Sequence, residues 1–337
     1  MAPNESIRDR GTILVLLSSY NGERYLKEQL DSILGQDCGE LEVLIRDDGS
    51  KDGTVGILQE YEKNYKNLHV IYGKNLGAAA SFFELIRAAD RKASYYAFSD
   101  QDDVWLADKL SRAVGQMEEW YQTRKKPDQS GAGLPAADKE GHLLRETEAL
   151  LYCSAVQPVD SGLNPLPAGV RYPSVRPSFG NALAENMCTG CTCVMNGELF
   201  AIIREGIPDA GKIIMHDFWF YLTAGCFGSV LYDREARILY RQHTGNQLGT
   251  ATSFLSNYRR RLRNFKRHRY QLTRQAEEFL KVYEGKMPED SRWLAAKFAA
   301  CRYHIRSRVQ IAFGSQVYRQ RKSDNVILKL LILAGIT

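Results

Sequence analysis

The chain has 337 residues, of which 44% are hydrophobic and 25% are charged. These are ordinary values for a globular protein, and they allow one large α/β domain with an appendage or two domains. No apolar run reaches the roughly 18 residues that cross a bilayer, and the first ten residues lack the apolar core of a signal peptide. We therefore expect neither a membrane span nor a signal peptide.

The net charge of +5 conceals two regions of opposite sign. Residues 1–249 contain 26 Lys and Arg against 34 Asp and Glu, whereas residues 250–337 contain 19 against 6. The first region is therefore acidic, and the second is strongly basic. We predict a catalytic domain over residues 1–249 and a basic helical extension over residues 250–337.

The seven cysteines are an odd number, and they are scattered through apolar contexts. This usage indicates free thiols in a reducing compartment, so we expect a cytoplasmic protein. Cys188, Cys191 and Cys193 are spaced closely enough to suggest zinc, but no second group of Cys or His lies at ligand spacing nearby. We interpret these three as small buried residues.

The first hundred residues repeat one pattern, an apolar strand followed by a polar loop and a helix. A continuous apolar run is typical of a strand that is buried on both faces of a parallel sheet. The repeats predict a doubly wound α/β sheet over residues 12–125, with every strand ending in a polar loop on one edge, where such sheets bind ligands. The predicted strands are residues 12–18, 41–45, 68–72 and 95–99, and the helices begin near residues 25, 54 and 78.

The fourth predicted strand ends in three carboxylates within four residues, Asp100, Asp102 and Asp103. Because buried unpaired carboxylates are costly, the strand must deliver them to an open edge or to a cation. Mg²⁺ is typically held by one or two carboxylates together with substrate phosphates, so the segment predicts a metal and diphosphate site. A solvated turn that caps the helix predicted at residues 108–123 fits the same residues.

Shorter elements follow in residues 148–249, which we predict to form the half of the catalytic domain that binds the acceptor substrate. His216 and Asp217 bring an imidazole and a carboxylate to the start of an aromatic helix. The other predicted elements are an exposed loop at residues 125–139, buried strands at 150–156 and 189–196, and two short strands within 229–240.

Seven short motifs occur in order between residues 13 and 249. They are Ser-Ser-Tyr-Asn at 18–21, Asp-Asp-Gly-Ser-Lys-Asp-Gly-Thr at 47–54, Lys-Asn-Leu-Gly at 74–77, Ser-Asp-Gln-Asp-Asp-Val-Trp at 99–105, Thr-Gly-Cys-Thr at 189–192, His-Asp at 216–217 and Arg-Gln-His at 241–243. In this order they resemble the motifs of family 2 glycosyltransferases, and three spellings resemble the bacterial rhamnosyltransferase-like branch. The resemblance implies a GT-A fold, which is a Rossmann-like doubly wound mixed sheet, here with a C-terminal helical appendage.

The resemblance also implies how the nucleotide is bound. Ser18 and Tyr20 would flank the pyrimidine, and Asp48 would pair with its ring nitrogen. Asn21 belongs to the same motif and is expected to bind the nucleotide.

For the ribose and phosphates, the resemblance implies that Lys74 approaches the diphosphate and that Asp100 lies near the ribose. Asp102 would ligate a Mg²⁺ or Mn²⁺ ion. His243 could complete the metal shell or touch the diphosphate, although a lone histidine is more often only hydrogen-bonded.

The reaction implied is the attack of an acceptor hydroxyl on the anomeric carbon of a nucleoside-diphosphate sugar, with inversion. Asp217 matches the catalytic base, because the hydroxyl must lose its proton to a positioned carboxylate. A helix N-cap is the structural alternative for Asp217. Many family members have Glu before this Asp, where the chain has His216. The motif of processive members is absent, so one sugar per binding event is expected.

Four residues are predicted to line the sugar or acceptor pocket. Trp105 and Trp219 offer aromatic faces that suit sugar rings, although core packing explains both equally well. Gly190 and His216 belong to motifs that the resemblance places on the acceptor side.

The basic extension allows several interpretations. Residues 254–269 combine one apolar helical face with many Lys and Arg, which suits an anionic membrane surface, here the inner face of the plasma membrane. The apolar run at residues 326–336 could dock on the core, pair in a homodimer or lie on a bilayer. A helical appendage packed on the catalytic domain is the structural alternative, and nucleic-acid binding is not expected because no known module is present.

The function predicted from the sequence is an inverting, metal-dependent glycosyltransferase that uses a dTDP- or UDP-sugar such as dTDP-rhamnose. A saccharide or a lipid-linked saccharide would be the acceptor, in cell-surface polysaccharide synthesis. Two alternatives remain open, a sugar nucleotidyltransferase and a non-catalytic nucleotide-binding scaffold at a membrane.

Overall fold

The structure is a computed structural model that describes residues 11–125, 148–167, 176–242 and 270–337. Its first part contains the predicted alternation of strands and helices. In chain order the elements are β1 (Ile13–Ser19), α1 (Leu26–Leu34), β2 (Leu41–Asp47), α2 (Thr54–Asn64), β3 (Leu68–Tyr72), α3 (Ala78–Ala88), β4 (Tyr95–Ser99), β5 (Val104–Trp105) and α4 (Lys109–Lys125). Strands β1 to β4 are parallel and lie in the order β3-β2-β1-β4.

Strand β1 is buried on both faces, as its continuous apolar sequence predicts. Leu14 and Leu16 pack into one hydrophobic cluster, and Ile13, Val15 and Leu17 pack into a second one. Alternate residues of a strand point to opposite faces, so a run without polar residues fits a sheet that is covered on both sides. Helix α3 contributes to the first cluster, whereas α1, α2 and α4 contribute to the second.

The second part extends the sheet with strands of mixed direction. Its elements are β6 (Ala149–Ser154), β7 (Gln157–Val159), α5 (Phe179–Ala182), a 3₁₀ turn (Gly190–Thr192), β8 (Val194–Asn196), α6 (Gly197–Glu205), α7 (His216–Phe227), β9 (Gly228–Asp233) and β10 (Ile238–Arg241). The large sheet has the order β3-β2-β1-β4-β8-β6-β9, and a small sheet has the order β5-β10-β7. The predicted fold class, a mixed α/β sheet of the GT-A type with C-terminal helices, is confirmed.

Strand β8 is antiparallel to β4, so its beginning lies beside the carboxyl end of β4. The Phe98 N–H donates to the Cys193 carbonyl at 3.1 Å. The sequence predicted one strand over residues 189–196, but its first half is the 3₁₀ turn Gly190–Thr192, which is closed by hydrogen bonds to the Thr189 carbonyl. This turn lies at the same sheet edge as the polar ends of β1, β2 and β4.

The described part of the basic extension packs on the catalytic part. Phe279 and Tyr283 place their rings 5.2 and 5.9 Å from the Trp219 ring, and further residues of the extension belong to the same hydrophobic cluster as the sheet. None of the described helices combines the length and apolarity needed to cross a bilayer. The basic segment at residues 254–269 lies outside the described residues, and the domain boundary at 249 stays a prediction. The helices are α8 (Gln271–Tyr283), α9 (Glu289–Ala300), α10 (Ile305–Phe313) and α11 (Lys322–Leu333).

Candidate active site

A cavity of about 430 Å³ lies at the carboxyl edge of the large sheet. Asp102 and Asp217 both line it, as a metal site and a base acting on one substrate require. The lining residues that the sequence predicted are Ser18, Tyr20, Asp48, Asp100, Asp102, Gly190, His216 and Asp217. The lining residues that it did not single out are Asn75, Gly77, Ala78, Gln101, Thr189, Met215 and Tyr240.

Gln101 fixes the loop after β1 to the acidic loop after β4. Its Oε1 accepts hydrogen bonds from Ser19 Oγ at 2.9 Å and from the Tyr20 N–H at 2.8 Å. Its Nε2 donates to the Tyr20 carbonyl at 2.9 Å. Sequence reasoning missed this residue, although it stands at the centre of the Asp-x-Asp motif. One amide side chain therefore links the loop that is predicted to bind the pyrimidine to the loop that is predicted to bind the metal ion.

Asp48 lies buried in the cavity wall, and both of its carboxylate oxygens accept hydrogen bonds from the protein. Oδ1 accepts from the Arg46 guanidinium and, at 2.9 Å, from the Leu76 N–H. Oδ2 accepts from the Gly77 N–H at 2.9 Å, and Gly77 has a φ of +83°, which glycine adopts at little cost. Asp48 thus holds the turn before α3, and its pairing with a pyrimidine ring stays a prediction.

Two of the predicted nucleotide-binding residues do not line the cavity. Asn21 accepts a hydrogen bond from the Lys51 N–H at 2.8 Å and donates its own N–H to Ser50 Oγ at 2.9 Å. It therefore joins the loops after β1 and β2. Lys74 is exposed, and the neighbouring Asn75 lines the cavity in its place. The prediction that Asn21 and Lys74 contact the nucleotide is therefore corrected, because neither residue lines the cavity.

Arg241 anchors the acidic loop from strand β10. Its Nε donates to the Asp102 carbonyl at 2.8 Å, and its backbone N–H donates to Asp103 Oδ1 at 3.0 Å. The guanidinium also donates to Glu28 Oε2 at 2.5 Å and lies 4.3 Å from the centre of the Tyr25 ring. Sequence reasoning quoted Arg241 only as part of a motif, because these partners are distant along the chain.

The acidic loop concentrates negative charge at the cavity. Burial, and then the charges of Asp102 and Asp217, raise the pKa of Asp100 to about 7. A divalent cation stabilises ionised carboxylates, and carboxylate oxygens are ligands that suit Mg²⁺ and Mn²⁺. Asp100 and Asp102 both line the cavity, and a Mg²⁺ or Mn²⁺ ion bound there would find carboxylate oxygens on both residues. His243, the other predicted ligand, lies outside the described residues.

Within the described residues, Asp100, Asp103 and Cys191 place potential ligand atoms within 4.8 Å of one another. Asp103 and Cys191 are buried, and they do not line the cavity. Burial raises the pKa of the Cys191 thiol well above its usual value, and a protonated thiol is a poor metal ligand. All seven cysteines are free, and Cys188, Cys191 and Cys193 are buried, as predicted for small core residues.

Asp217 reaches the cavity from the start of helix α7. Its Oδ2 accepts the Gly190 N–H at 3.1 Å, and its Oδ1 accepts the Phe218 N–H at 2.7 Å. The N-cap of α7 is Met215, so the interpretation of Asp217 as an N-cap is wrong. Burial raises the pKa of Asp217 to about 6. This carboxylate is ionised at neutral pH, and it accepts a proton more readily than an exposed one.

His216 lies beside Asp217 with its ring in the cavity wall. The ring stacks on Phe82 with 3.9 Å between ring centres, and burial lowers the pKa of His216 to about 3, so the imidazole is neutral. Neither ring nitrogen has a hydrogen-bond partner among the described residues. A side chain on Gly190 would approach His216 Nε2 to 2.9 Å, which explains why glycine fits this position.

Trp105 and Trp219 do not line the cavity, which corrects their prediction as pocket residues. Trp105 is 3% exposed, and the Lys109 ammonium lies 3.5 Å from its ring centre. Trp219 is fully buried against Phe279 and Tyr283 of α8. Helix α7 is apolar almost all round, so it is packed on several sides, and core packing explains both tryptophans.

A mixed sheet of the GT-A type, with carboxylates after its fourth strand and a buried carboxylate in the same cavity, is the arrangement that the resemblance predicts, and the comparisons support a glycosyltransferase. Residues 14–132 match the model of the family described as Glycosyl transferase family 2. The chain therefore carries a region that matches this family, and over a longer stretch it is similar to a dTDP-rhamnosyl transferase.

Two relatives and one solved structure illustrate the similarity. The dTDP-rhamnosyl transferase RfbG of Shigella flexneri is 29% identical over 254 residues, which cover 72% of this chain and 77% of RfbG. The putative teichuronic acid biosynthesis glycosyltransferase TuaG of Bacillus subtilis is 39% identical over 103 residues, 30% of this chain and 40% of TuaG. The structure of S. aureus TarS 1-349 in complex with UDP-GlcNAc has a TM-score of 0.55 and 17% identity, covering 97% of this chain and 82% of that chain. This last likeness shows the fold.

Proposed function

We propose that this protein transfers L-rhamnose from dTDP-rhamnose to a hydroxyl of a saccharide or lipid-linked saccharide, with inversion and with Mg²⁺ or Mn²⁺, in cell-surface polysaccharide synthesis. The observation that carries the proposal is that Asp102 and the buried Asp217 line the same cavity. The similarity to the dTDP-rhamnosyl transferase RfbG supports the donor. Because TarS was solved with UDP-GlcNAc, a UDP-sugar is the alternative donor.

The donor side of the cavity is held by hydrogen bonds between its loops. Ser18 and Tyr20 offer a site for the pyrimidine, and Gln101 fixes that loop to the acidic one. Such preorganisation places the leaving diphosphate against Asp100 and Asp102 before any reaction starts. A bound cation there would neutralise the negative charge that develops on the leaving diphosphate.

Asp217 is the proposed catalytic base. The acceptor oxygen forms a bond to the anomeric carbon while the bond from that carbon to the diphosphate oxygen breaks. The diphosphate leaves with the bonding electron pair, and the hydroxyl proton passes to the Asp217 carboxylate. The hydrogen bonds from Gly190 and Phe218 hold the carboxylate in position, and its pKa of about 6 keeps it ionised at neutral pH.

His216 is the proposed binding residue for a sugar hydroxyl of the acceptor. A neutral imidazole has one N–H donor and one acceptor nitrogen, and both ring nitrogens of His216 lack a partner among the described residues. A buried polar group without a partner is costly, so a ligand hydroxyl at this position gains a hydrogen bond that water does not easily replace.

The test is a panel of nucleoside-diphosphate sugars, each incubated with Mn²⁺ or Mg²⁺, with and without saccharide acceptors. Release of the nucleoside diphosphate is measured, and the proposal expects the highest rate with dTDP-rhamnose plus acceptor. Addition of EDTA should abolish release, and re-addition of Mn²⁺ should restore it. Asp102→Asn should raise the Mn²⁺ concentration needed for half-maximal rate by about tenfold or more.

The matched control is Asp209→Asn, which changes a half-exposed carboxylate that does not line the cavity. It should behave as the unchanged protein. Release that is independent of metal would contradict the metal assignment. Tight donor binding without any turnover would instead favour the scaffold alternative, and pyrophosphate release from a nucleoside triphosphate would favour the nucleotidyltransferase.

A further inference from the structure

Helix α10 presents an apolar stripe to solvent. Ile305, Val309 and Phe313 follow one another at intervals of four residues and therefore lie on one side of the helix. They are 62%, 45% and 78% exposed. Ile311 and Ala312 of the same helix are buried. The contact of α10 with the protein interior therefore does not account for its exposed apolar side.

Helix α11 has the same property. Leu328 and Ile332 are fully buried, whereas Val326, Ile327 and Leu330 are 60%, 45% and 61% exposed. Helices α10 and α11 pack on each other, so the two exposed apolar stripes belong to one helical hairpin. Large apolar side chains that gather on a surface mark an interaction site, whereas single ones do not.

The charge of the hairpin indicates the partner. Residues 302–333 contain seven Lys and Arg, and Asp324 is the one acidic residue among them. Arg308 and Arg319 donate to carbonyls of the protein, whereas Arg306 and Lys322 are exposed. A second copy of the chain would bring two strongly cationic surfaces together, which disfavours self-association through this face. Aliphatic and aromatic side chains interleaved with Arg and Lys are the composition of helices that lie in the interface of an anionic bilayer.

The hairpin is connected to the acceptor side of the cavity. In the link between its helices, the Gln320 N–H donates to Glu185 Oε2 at 2.8 Å, and Arg319 Nε donates to the Ala184 carbonyl at 3.1 Å. Asn186, which follows Glu185 directly in the chain, hydrogen-bonds to Asp217. A surface bound by the hairpin is therefore joined by a short path of hydrogen bonds to the proposed base.

We propose that helices α10 and α11 dock the protein on an anionic phospholipid bilayer, with Phe313 and Leu330 inserted among the lipids and the exposed Arg306 and Lys322 at the headgroups. The docking goes beyond the proposed transfer reaction and does not depend on which sugar is transferred.

The test is co-sedimentation of the full chain with phosphatidylcholine vesicles that contain about 30% phosphatidylglycerol, compared with pure phosphatidylcholine. The unchanged protein should bind the anionic vesicles, and added salt should weaken that binding. The double variant Phe313→Ser and Leu330→Ser should lower the partition coefficient by about tenfold or more. Tyr65→Ser is the matched control, because Tyr65 is an exposed aromatic at the end of α2.

The melting temperature of the double variant should equal that of the unchanged protein, since the Phe313 and Leu330 side chains are exposed. Undiminished binding of the double variant would overturn the proposal, and so would a failure of the unchanged protein to bind. A dimer that the double variant converts to a monomer, without vesicle binding, would assign the surface to a second copy instead. Nucleoside-diphosphate release with a soluble acceptor should stay unchanged in the double variant, so the two proposals fail independently.

Discussion

The donor side and the acceptor side of the cavity differ in how their polar side chains are satisfied. On the donor side, Asp48 and Gln101 each make several hydrogen bonds within the protein. On the acceptor side, His216 is buried, and its ring nitrogens have no partner among the described residues. Because a buried polar atom without a partner is costly, the difference supports a preformed donor side and a bound molecule as the partner of His216, whereas Asp217 already accepts two backbone hydrogen bonds.

The largest expected effect comes from removing the proposed base on the acceptor side. Asp217→Asn keeps the size of the side chain but cannot take the hydroxyl proton, so kcat should fall by roughly a thousandfold. Donor affinity, measured by titration calorimetry with the nucleoside diphosphate, should change far less than kcat, because the hydrogen bonds that hold the donor side are left intact. A kcat close to that of the unchanged protein would exclude Asp217 as the base.

The dependence of rate on pH should follow the ionisation of the same carboxylate. Burial raises the pKa of Asp217 to about 6, and the base must be ionised to act. The value of kcat/KM should therefore rise with pH up to about 6 and then level, with a loss of about tenfold at pH 5. Asp217→Asn serves as the control and should lack this acidic limb. A profile that is flat from pH 5 to 7 would contradict the assignment.

On the donor side, Gln101→Ala should loosen the loop after β1, which is predicted to bind the pyrimidine. The proposed catalytic base, Asp217, is left unchanged. The variant loses three hydrogen bonds to Ser19 and Tyr20, so the KM for the donor should rise by roughly fivefold to tenfold while kcat changes little. Gln157→Ala is the matched control, because Gln157 bonds only to main-chain carbonyls away from the cavity. A fall in kcat with an unchanged donor KM would show that the two sides are not separable in this way.

The smallest effect is expected for His216→Phe. Phenylalanine keeps the stacking on Phe82 but removes both ring nitrogens, so the KM for the acceptor should rise by about fivefold. The donor KM should stay the same, and this is what distinguishes a hydroxyl-binding role from a structural one. Steady-state kinetics with each substrate varied in turn gives both values. A rise in the donor KM alone would show that His216 contributes to donor binding and not to acceptor binding.

Much of the donor side could be predicted because its signals are local. A strand that is buried on both faces shows a continuous apolar run, and a ligand-binding edge shows polar residues directly after that run, as residues 95–103 do. Asp217 was instead predicted from the family resemblance, and the structure brings it into one cavity with Asp102. Asn75 lines the cavity where the sequence predicted Lys74, because a one-residue shift in a turn changes which side chain faces the cavity.

The sequence by itself determined the alternation of strands and helices over residues 12–125 and the edge that carries the acidic loop, and its family resemblance indicated the carboxylate at the start of α7. Tertiary structure alone decided that Gln101 bonds to Tyr20, that Arg241 reaches Glu28 across 213 positions, and that Trp219 lies under α8 and not in a sugar pocket. The physical reason is that periodicity records only which face of an element is buried. It does not record which distant element covers that face or satisfies its polar atoms.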